Sequence, residues 1–221
     1  MLFISFFLID TMAKREQTRN EEIANAITHL IGIILVLVAI PFLIIRDVHD
    51  FSIIGLISTL AFIVGMLMVY TFSTLYHIAK PSRLKDILNK FDHISIFFLI
   101  AGTYTPLISR YLEGTFQIVF LCVMWGIVLL GIIYKIFFIN RMKWFSILLY
   151  MLMGWMFVFI LKPLLENMPL HVLWWIVAGG VCYSIGVYFY LHNQRKYYHT
   201  IWHLFVMAGT VFHFISVFLS V

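Results

Sequence analysis

The chain has 221 residues, of which 63% are hydrophobic and only 11% charged, with a mean hydropathy of +1.01. That balance excludes an ordinary water-soluble domain and predicts an integral membrane protein. The net charge of +5 is no nucleic-acid signal, because the basic residues flank apolar runs and form no contiguous basic face.

A helical crossing needs roughly 20 mostly apolar residues. Seven such runs stand between short charged loops, at 23–45, 52–76, 92–109, 116–134, 144–161, 170–190 and 200–220. The expectation is an all-α integral membrane protein: a polar N-terminal segment, 1–22, and one seven-helix transmembrane domain, 23–221. The opening stretch MLFISFFLIDT is too short to span, and no basic residues precede it, which argues against a signal peptide. Either the natural chain starts at Met12, or this stretch lies along the membrane surface.

Lys and Arg in short connections mark the cytoplasmic side. Twelve of the 15 basic residues fall in the N-terminal segment and the second, fourth and sixth loops; only Arg46, Arg110 and Lys162 fall in the others. The expected topology places the N-terminus in the cytoplasm and the C-terminus outside, in a plasma membrane with lipids as partners and no nucleic acid. Cys122 and Cys182 lie within runs, without a CxxC pattern, and read as small core residues.

Ionisable residues inside a membrane are functional candidates. In chain order, the first span opens with Glu22, Asn25 and His29, and the second closes with STLYH, which puts Ser73 and His77 one turn apart on a shared face. The third begins FDHIS, setting Asp92 at the same depth; His93, about 100° round the helix, is expected to face elsewhere. The seventh begins with His199 and His203, again four apart. Four helices thus bring polar residues to one leaflet. A histidine pair at i, i+4 is the spacing by which a helix offers two imidazoles to a metal, and a third from a facing helix completes a set that leaves one zinc position open. More ordinary readings stand beside this: interfacial histidines, an Asp92 favoured by a helix N-terminus, a Ser73 bonded to its own helix. His29 lines the cavity, bonds a neighbouring helix or touches the metal. His213, roughly 15 Å deeper than His203, is expected to be a buried hydrogen-bonding residue. In AGTYTP, Thr103 and Thr105 are expected to satisfy carbonyls freed by Pro106.

The stretches EEIANAITHLIG, STLYH, FDHISIFFLIAGTYTP and YHTIWHLFVMAGTVFHF, in that order, resemble the hemolysin III family, the bacterial branch of the progestin and adipoQ receptor superfamily, which is related to alkaline ceramidases. The resemblance runs from about Glu21 onward. It implies seven helices with an intracellular N-terminus, zinc held by His77, His199 and His203, a zinc-held water met by Asp92, and a superfamily serine at Ser73. The expected activity is a zinc-dependent hydrolase of a lipid amide or ester, with Asp92 as general base and Ser73 assisting at the oxyanion. The alternatives are a membrane-state sensor with structural zinc and, lowest, a pore-forming cytolysin.

Overall fold

The apolar runs fold as helices throughout the described residues, 15–49, 52–138 and 143–220, of the computed structural model, with no strand among them. The stretch MLFISFFLIDT lies outside those residues. Helix α1 spans Arg19–His49, α2 Ile53–Ile78, α3 Arg83–Tyr111 and α4 Gly114–Phe138. The fifth crossing is composite: α5, Lys143–Gly154, a 3-10 turn at Met156–Ile160, then α6, Leu161–Asn167. Helices α7, Leu170–Leu191, and α8, Tyr198–Ser220, complete the bundle. All seven crossings are long and apolar enough for a membrane.

Local chemistry sets the starts of α2 and α3. The Ser52 hydroxyl accepts from the Gly55 N–H at 3.2 Å, and Ser82 accepts from Lys85 N–H at 3.3 Å, so each satisfies one of the donors a helix leaves unpaired at its first turn. Pro81, between α2 and α3, cannot continue the preceding helix. The third helix begins nine residues before Asp92, earlier than the apolar run alone indicates. Asp92 therefore sits beyond the second turn, outside the reach of the N-terminal dipole.

Helix α3 is the most buried span and touches α2, α4, α5 and α8. Its pairing with α2 is a backbone contact. A Cβ at Gly65 would lie 2.7 Å from the Phe98 carbonyl oxygen, and one at Gly102 would lie 2.6 Å from that of Ala61. Only glycine permits this approach, the usual device for packing helices in lipid. The antiparallel pair brings the end of α2, with Ser73 and His77, against the Asp92 turn of α3. On the other side of the site α8 packs against α7, and α1 lies against both α2 and α8. The remaining face of α1, with Ile34, Leu37, Val38 and Phe42, is exposed and suits contact with lipid tails.

The break in the fifth crossing is the main feature the apolar pattern conceals. Tyr104 of α3 reaches it: its hydroxyl donates to the Gly154 carbonyl at 2.8 Å and accepts from the Phe157 N–H at 3.1 Å. One phenol thus satisfies two backbone groups that the regular helix no longer pairs, which irregular backbone at membrane depth requires. Thr103 and Thr105 bond the carbonyls of Leu99 and Ala101; the carbonyl freed by Pro106 is that of Gly102, so the threonines act on its neighbours. Cys122 is exposed rather than in the core, and Cys182 is partly buried; α4 turns Cys122 outward at a position where a small apolar side chain is equally at home in lipid.

Candidate metal centre

Three of the expected residues meet. The ligand-capable atoms of His77, His199 and His203 all lie within 4.8 Å of one another. Their ring centroids form a compact triangle, with His77 5.2 Å from His199 and 5.1 Å from His203, and the last two 4.6 Å apart. His77 arrives from the end of α2 and the other two from the first turns of α8, so their i, i+4 spacing presents both rings on one face.

Helix α1 orients this set, through the segment EEIAN. Glu22 Oε2 accepts from His77 Nδ1–H at 2.6 Å, while Glu22 Oε1 takes the Lys85 ammonium at 3.0 Å. The Asn25 carbonyl oxygen accepts from His203 Nδ1–H at 3.2 Å, and Asn25 Oδ1 accepts from the Thr200 hydroxyl at 2.6 Å. The Thr28 hydroxyl also lies 3.2 Å from His203 Nδ1, but it donates its hydrogen to the Asn25 carbonyl at 2.8 Å; with both neighbours accepting, His203 carries its proton on Nδ1 and leaves the Nε2 lone pair for a ligand. The carboxylate partner of His77 imposes the same tautomer. His77 is buried, and its Nε2 has no hydrogen-bond partner among the described residues. An orphaned imidazole nitrogen beside two further histidines, with a carboxylate and a carbonyl behind the rings, matches the donor set and outer support of a metal site. These three histidines could hold a metal ion.

Glu21 secures the approach to α8. Its carboxylate accepts from Arg15 at 3.0 and 2.5 Å, from the Thr18 N–H and hydroxyl at 3.0 and 2.9 Å, and from the Tyr197 N–H at 2.9 Å. Tyr197 has φ of 62°, a left-handed conformation costly for a bulky residue, and it lies two positions before His199. The Glu21 bond holds that turn. The pair with Glu21 raises the affinity of the Arg15 guanidinium for its proton above its ordinary value.

A cavity of about 540 Å³ opens beside the histidines. Its lining includes Ser73, His77, Asp92, His199 and His203 at one end and apolar residues such as Leu107 and Ile176 further in. Asp92 is partly buried and lines the same end of the cavity as the buried Ser73. His93 lines the same cavity, contrary to the expectation from its position round α3; its Nδ1–H bonds the Asn89 carbonyl at 2.8 Å, and the broad cavity reaches past Asp92 to it. His213 is a hydrogen-bonding residue as expected, its Nε2 3.2 Å from the Ile176 carbonyl, in a slot that Gly179 keeps open. His29 lines the cavity and stacks on His203 with centroids 3.7 Å apart, outside the three-histidine set. Lys135 is the residue the sequence placed wrongly. Counted among loop cations, it is 2% exposed, with its ammonium 5.9 Å over the Tyr150 ring.

The chain matches the haemolysin-III related family over residues 17–214. It is 40% identical over 200 residues to the hemolysin-3 homolog of Bacillus subtilis (strain 168), covering 90% of this chain and 94% of that protein. It is 38% identical over 210 residues to hemolysin-3 of Bacillus cereus, covering 95% and 96%. More distantly, it is 27% identical over 159 residues to the human monocyte to macrophage differentiation factor, covering 69% and 66%. No solved structure matches it.

Proposed function

Since the chain belongs to the haemolysin-III related family, we propose that this multi-pass protein of a bacterial cell membrane is a zinc-dependent hydrolase of a lipid amide or ester. Its site works at the cytoplasmic end of the bundle, the side that the loop charges favour. The observation that carries the reading is the convergence of His77, His199 and His203 at the polar end of an otherwise apolar cavity that also holds Asp92.

Zinc in such a site supplies a Lewis acid and brings the pKa of a water toward 7. The chain's own residues do the rest. Asp92 accepts a proton from the attacking water as its oxygen bonds to the substrate carbonyl carbon, then returns that proton to the departing nitrogen or oxygen as the C–N or C–O bond breaks. The products are a fatty carboxylate and an amine or alcohol. Ser73, on the same cavity wall as Asp92, is the hydroxyl placed to orient that carboxylate. Glu22 and the Asn25 carbonyl keep His77 and His203 turned toward the site, and the apolar lining excludes bulk water and receives the acyl chain.

Metal analysis of purified wild type and His203→Ala, followed by a lipid-hydrolysis screen on wild type and Asp92→Ala, tests this. Stoichiometric zinc lost in the first variant, with zinc retained and turnover abolished in the second, is expected. Normal turnover in Asp92→Ala refutes the hydrolase. A zinc that is structural and pins α2 to α8 is the rival, favoured by the way α1 ties both ligand-bearing helices. On that reading each histidine change lowers the melting temperature and no lipid yields product.

A further inference from the structure

Five tyrosines line the cavity, and the surrounding chain engages four of them. The hydroxyls of Tyr104, Tyr150 and Tyr183 bond the Gly154 carbonyl, the His93 carbonyl and the Thr210 hydroxyl at 2.8, 2.8 and 2.9 Å. Tyr76 stands under the Lys85 ammonium, 4.9 Å over its ring. The fifth is Tyr190 of α7, whose hydroxyl bonds no described residue. Tyr188, two positions earlier, is 52% exposed and suits the aromatic belt of a membrane interface. Tyr190 lies about 200° round the helix from it and is turned inward to line the cavity. Its ring is held from α8, with the Trp202 ring 5.5 Å away and that of His199 6.1 Å away. Gly186, one turn earlier on α7, permits this approach, since a Cβ there would lie 2.8 Å from the Trp202 ring. Across the cavity, Asp92 of α3 is near enough to act on the phenol electrostatically. A tyrosine hydroxyl turned into a protein interior ordinarily finds a partner, and here it faces the end of the cavity where the histidines and Asp92 meet.

We infer that Tyr190 donates its phenol O–H to the carbonyl oxygen of the bound lipid and, as a catalytic residue, holds the oxyanion that forms there. An ionised Asp92 only accepts and cannot serve that oxygen, and Ser73 lies on the wall with Asp92. As the water oxygen bonds to the carbonyl carbon, the π pair moves onto the carbonyl oxygen and the hydrogen bond from Tyr190 strengthens. The phenol keeps its proton throughout. When the C=O bond re-forms, the pair returns to it, the C–N or C–O bond breaks, and the proton held by Asp92 goes to the departing atom. A donor fixed in advance, in a site sheltered from bulk water, acts on the developing charge without reorganising. The inference deepens the proposed function: it rests on hydrolysis in the same cavity and supplies a donor for the oxygen that Asp92 leaves unserved.

The test uses the full chain in lipid nanodiscs and two radiolabelled probes without a hydrolysable bond. Oleyl methyl ketone stays trigonal, whereas oleyl trifluoromethyl ketone takes up water at its carbonyl and becomes tetrahedral, as the substrate does in the reaction. Binding of each is compared, against empty nanodiscs, for the wild type, Tyr190→Phe and Tyr188→Phe. Phenylalanine at 190 keeps the ring against Trp202 and His199 and removes the hydroxyl alone. The expected result is a trifluoromethyl ketone affinity about 10- to 100-fold lower in Tyr190→Phe, with the methyl ketone changed far less and Tyr188→Phe like the wild type. Equal loss of both probes in Tyr190→Phe, no loss of either, the same effect in Tyr188→Phe, or a wild type without preference for the tetrahedral probe overturns the inference. So does loss of zinc from Tyr190→Phe, which makes the phenol a support for His199. Turnover is read separately, and the expected kcat in Tyr190→Phe is about 100- to 1,000-fold lower with KM little changed. A wild type that hydrolyses a lipid, with kcat and probe affinity both kept in Tyr190→Phe, refutes this inference and leaves the hydrolase standing. A wild type that hydrolyses no lipid, yet owes its preference for the tetrahedral probe to the Tyr190 hydroxyl, refutes the hydrolase and leaves Tyr190 as the donor to a carbonyl ligand.

Discussion

Removal of the Glu22 carboxylate is the sharpest test of the proposed metal centre, because Glu22 touches one of the three histidines without belonging to the set. Its Oε2 lies 2.6 Å from His77 Nδ1, and the His77 side chain is 1% exposed against 24% for Glu22. A hydrogen bond to a charged group contributes about 1.5–3 kcal/mol. The partial exposure of Glu22 and the competing Lys85 ammonium at 3.0 Å put this one toward the lower end, about 1.5–2 kcal/mol. At about 1.4 kcal/mol per factor of ten, Glu22→Ala weakens zinc binding by about 10- to 30-fold, within the range for groups that orient metal-binding histidines. Glu22→Gln, which keeps an acceptor but not the charge, loses less. Lys85→Ala touches the ligand only through Glu22, so its effect stays below that of either Glu22 variant. The assay is competition for zinc against a fluorescent chelator on purified protein. Glu22→Ala within twofold of wild type, or Lys85→Ala weaker than Glu22→Ala, refutes the geometry on which the site is built.

Other expectations follow from the same contacts. Gly102→Ala puts a Cβ 2.6 Å from the Ala61 carbonyl oxygen; backbone cannot yield there as a side chain would, so the change costs about 1–3 kcal/mol, read as a lower melting temperature in detergent together with reduced zinc content. Tyr104→Phe strips the Gly154 carbonyl and the Phe157 N–H of their shared partner and costs about 1–3 kcal/mol, again by thermal unfolding, with zinc content unchanged. Ser73→Ala, which removes only a group that orients the proposed base, lowers turnover roughly tenfold, less than the hundredfold or more that a general acid–base group itself supplies, with zinc retained; a change in zinc content instead assigns the serine to the metal. Purified protein at low density in liposomes releases no trapped dye, and concentration-dependent release restores the cytolysin reading.

Helix number and the convergence of the site were legible because both rest on short-range rules. Apolar run length alone defines a crossing, and once two runs are antiparallel, residues at their adjoining ends share a depth; Ser73, His77, Asp92, His199 and His203 follow from that. What the one-dimensional pattern lacks is rotation and backbone irregularity. His93 was placed away from the site by its 100° offset, but the cavity is wide enough to reach it. Lys135 ends an apolar run and so reads as a loop cation, whereas α4 continues to Phe138 and buries it. The fifth run is continuous in hydropathy and broken in backbone, and the partner that makes the break tolerable, Tyr104, is some fifty residues away in sequence.

The segment EEIAN shows most clearly why spacing finds ligands more readily than it finds their supports. A ligand set announces itself through residue type and the i, i+4 rule, but a supporting group is defined only by what it touches. Glu21 holds the Tyr197 turn, Glu22 holds His77 and Asn25 holds His203 and Thr200. These are contacts from one turn of α1 to residues more than fifty and more than 170 positions away. Nothing local distinguishes those three residues from an acidic helix start favoured by the macrodipole. Their burial does: Glu21 is 2% exposed and Asn25 fully buried, positions that water-facing capping residues do not occupy. Helix α1 supplies none of the three histidines, yet it touches both of the helices that do, and a change in its first two turns therefore reaches the histidine cluster from both sides at once.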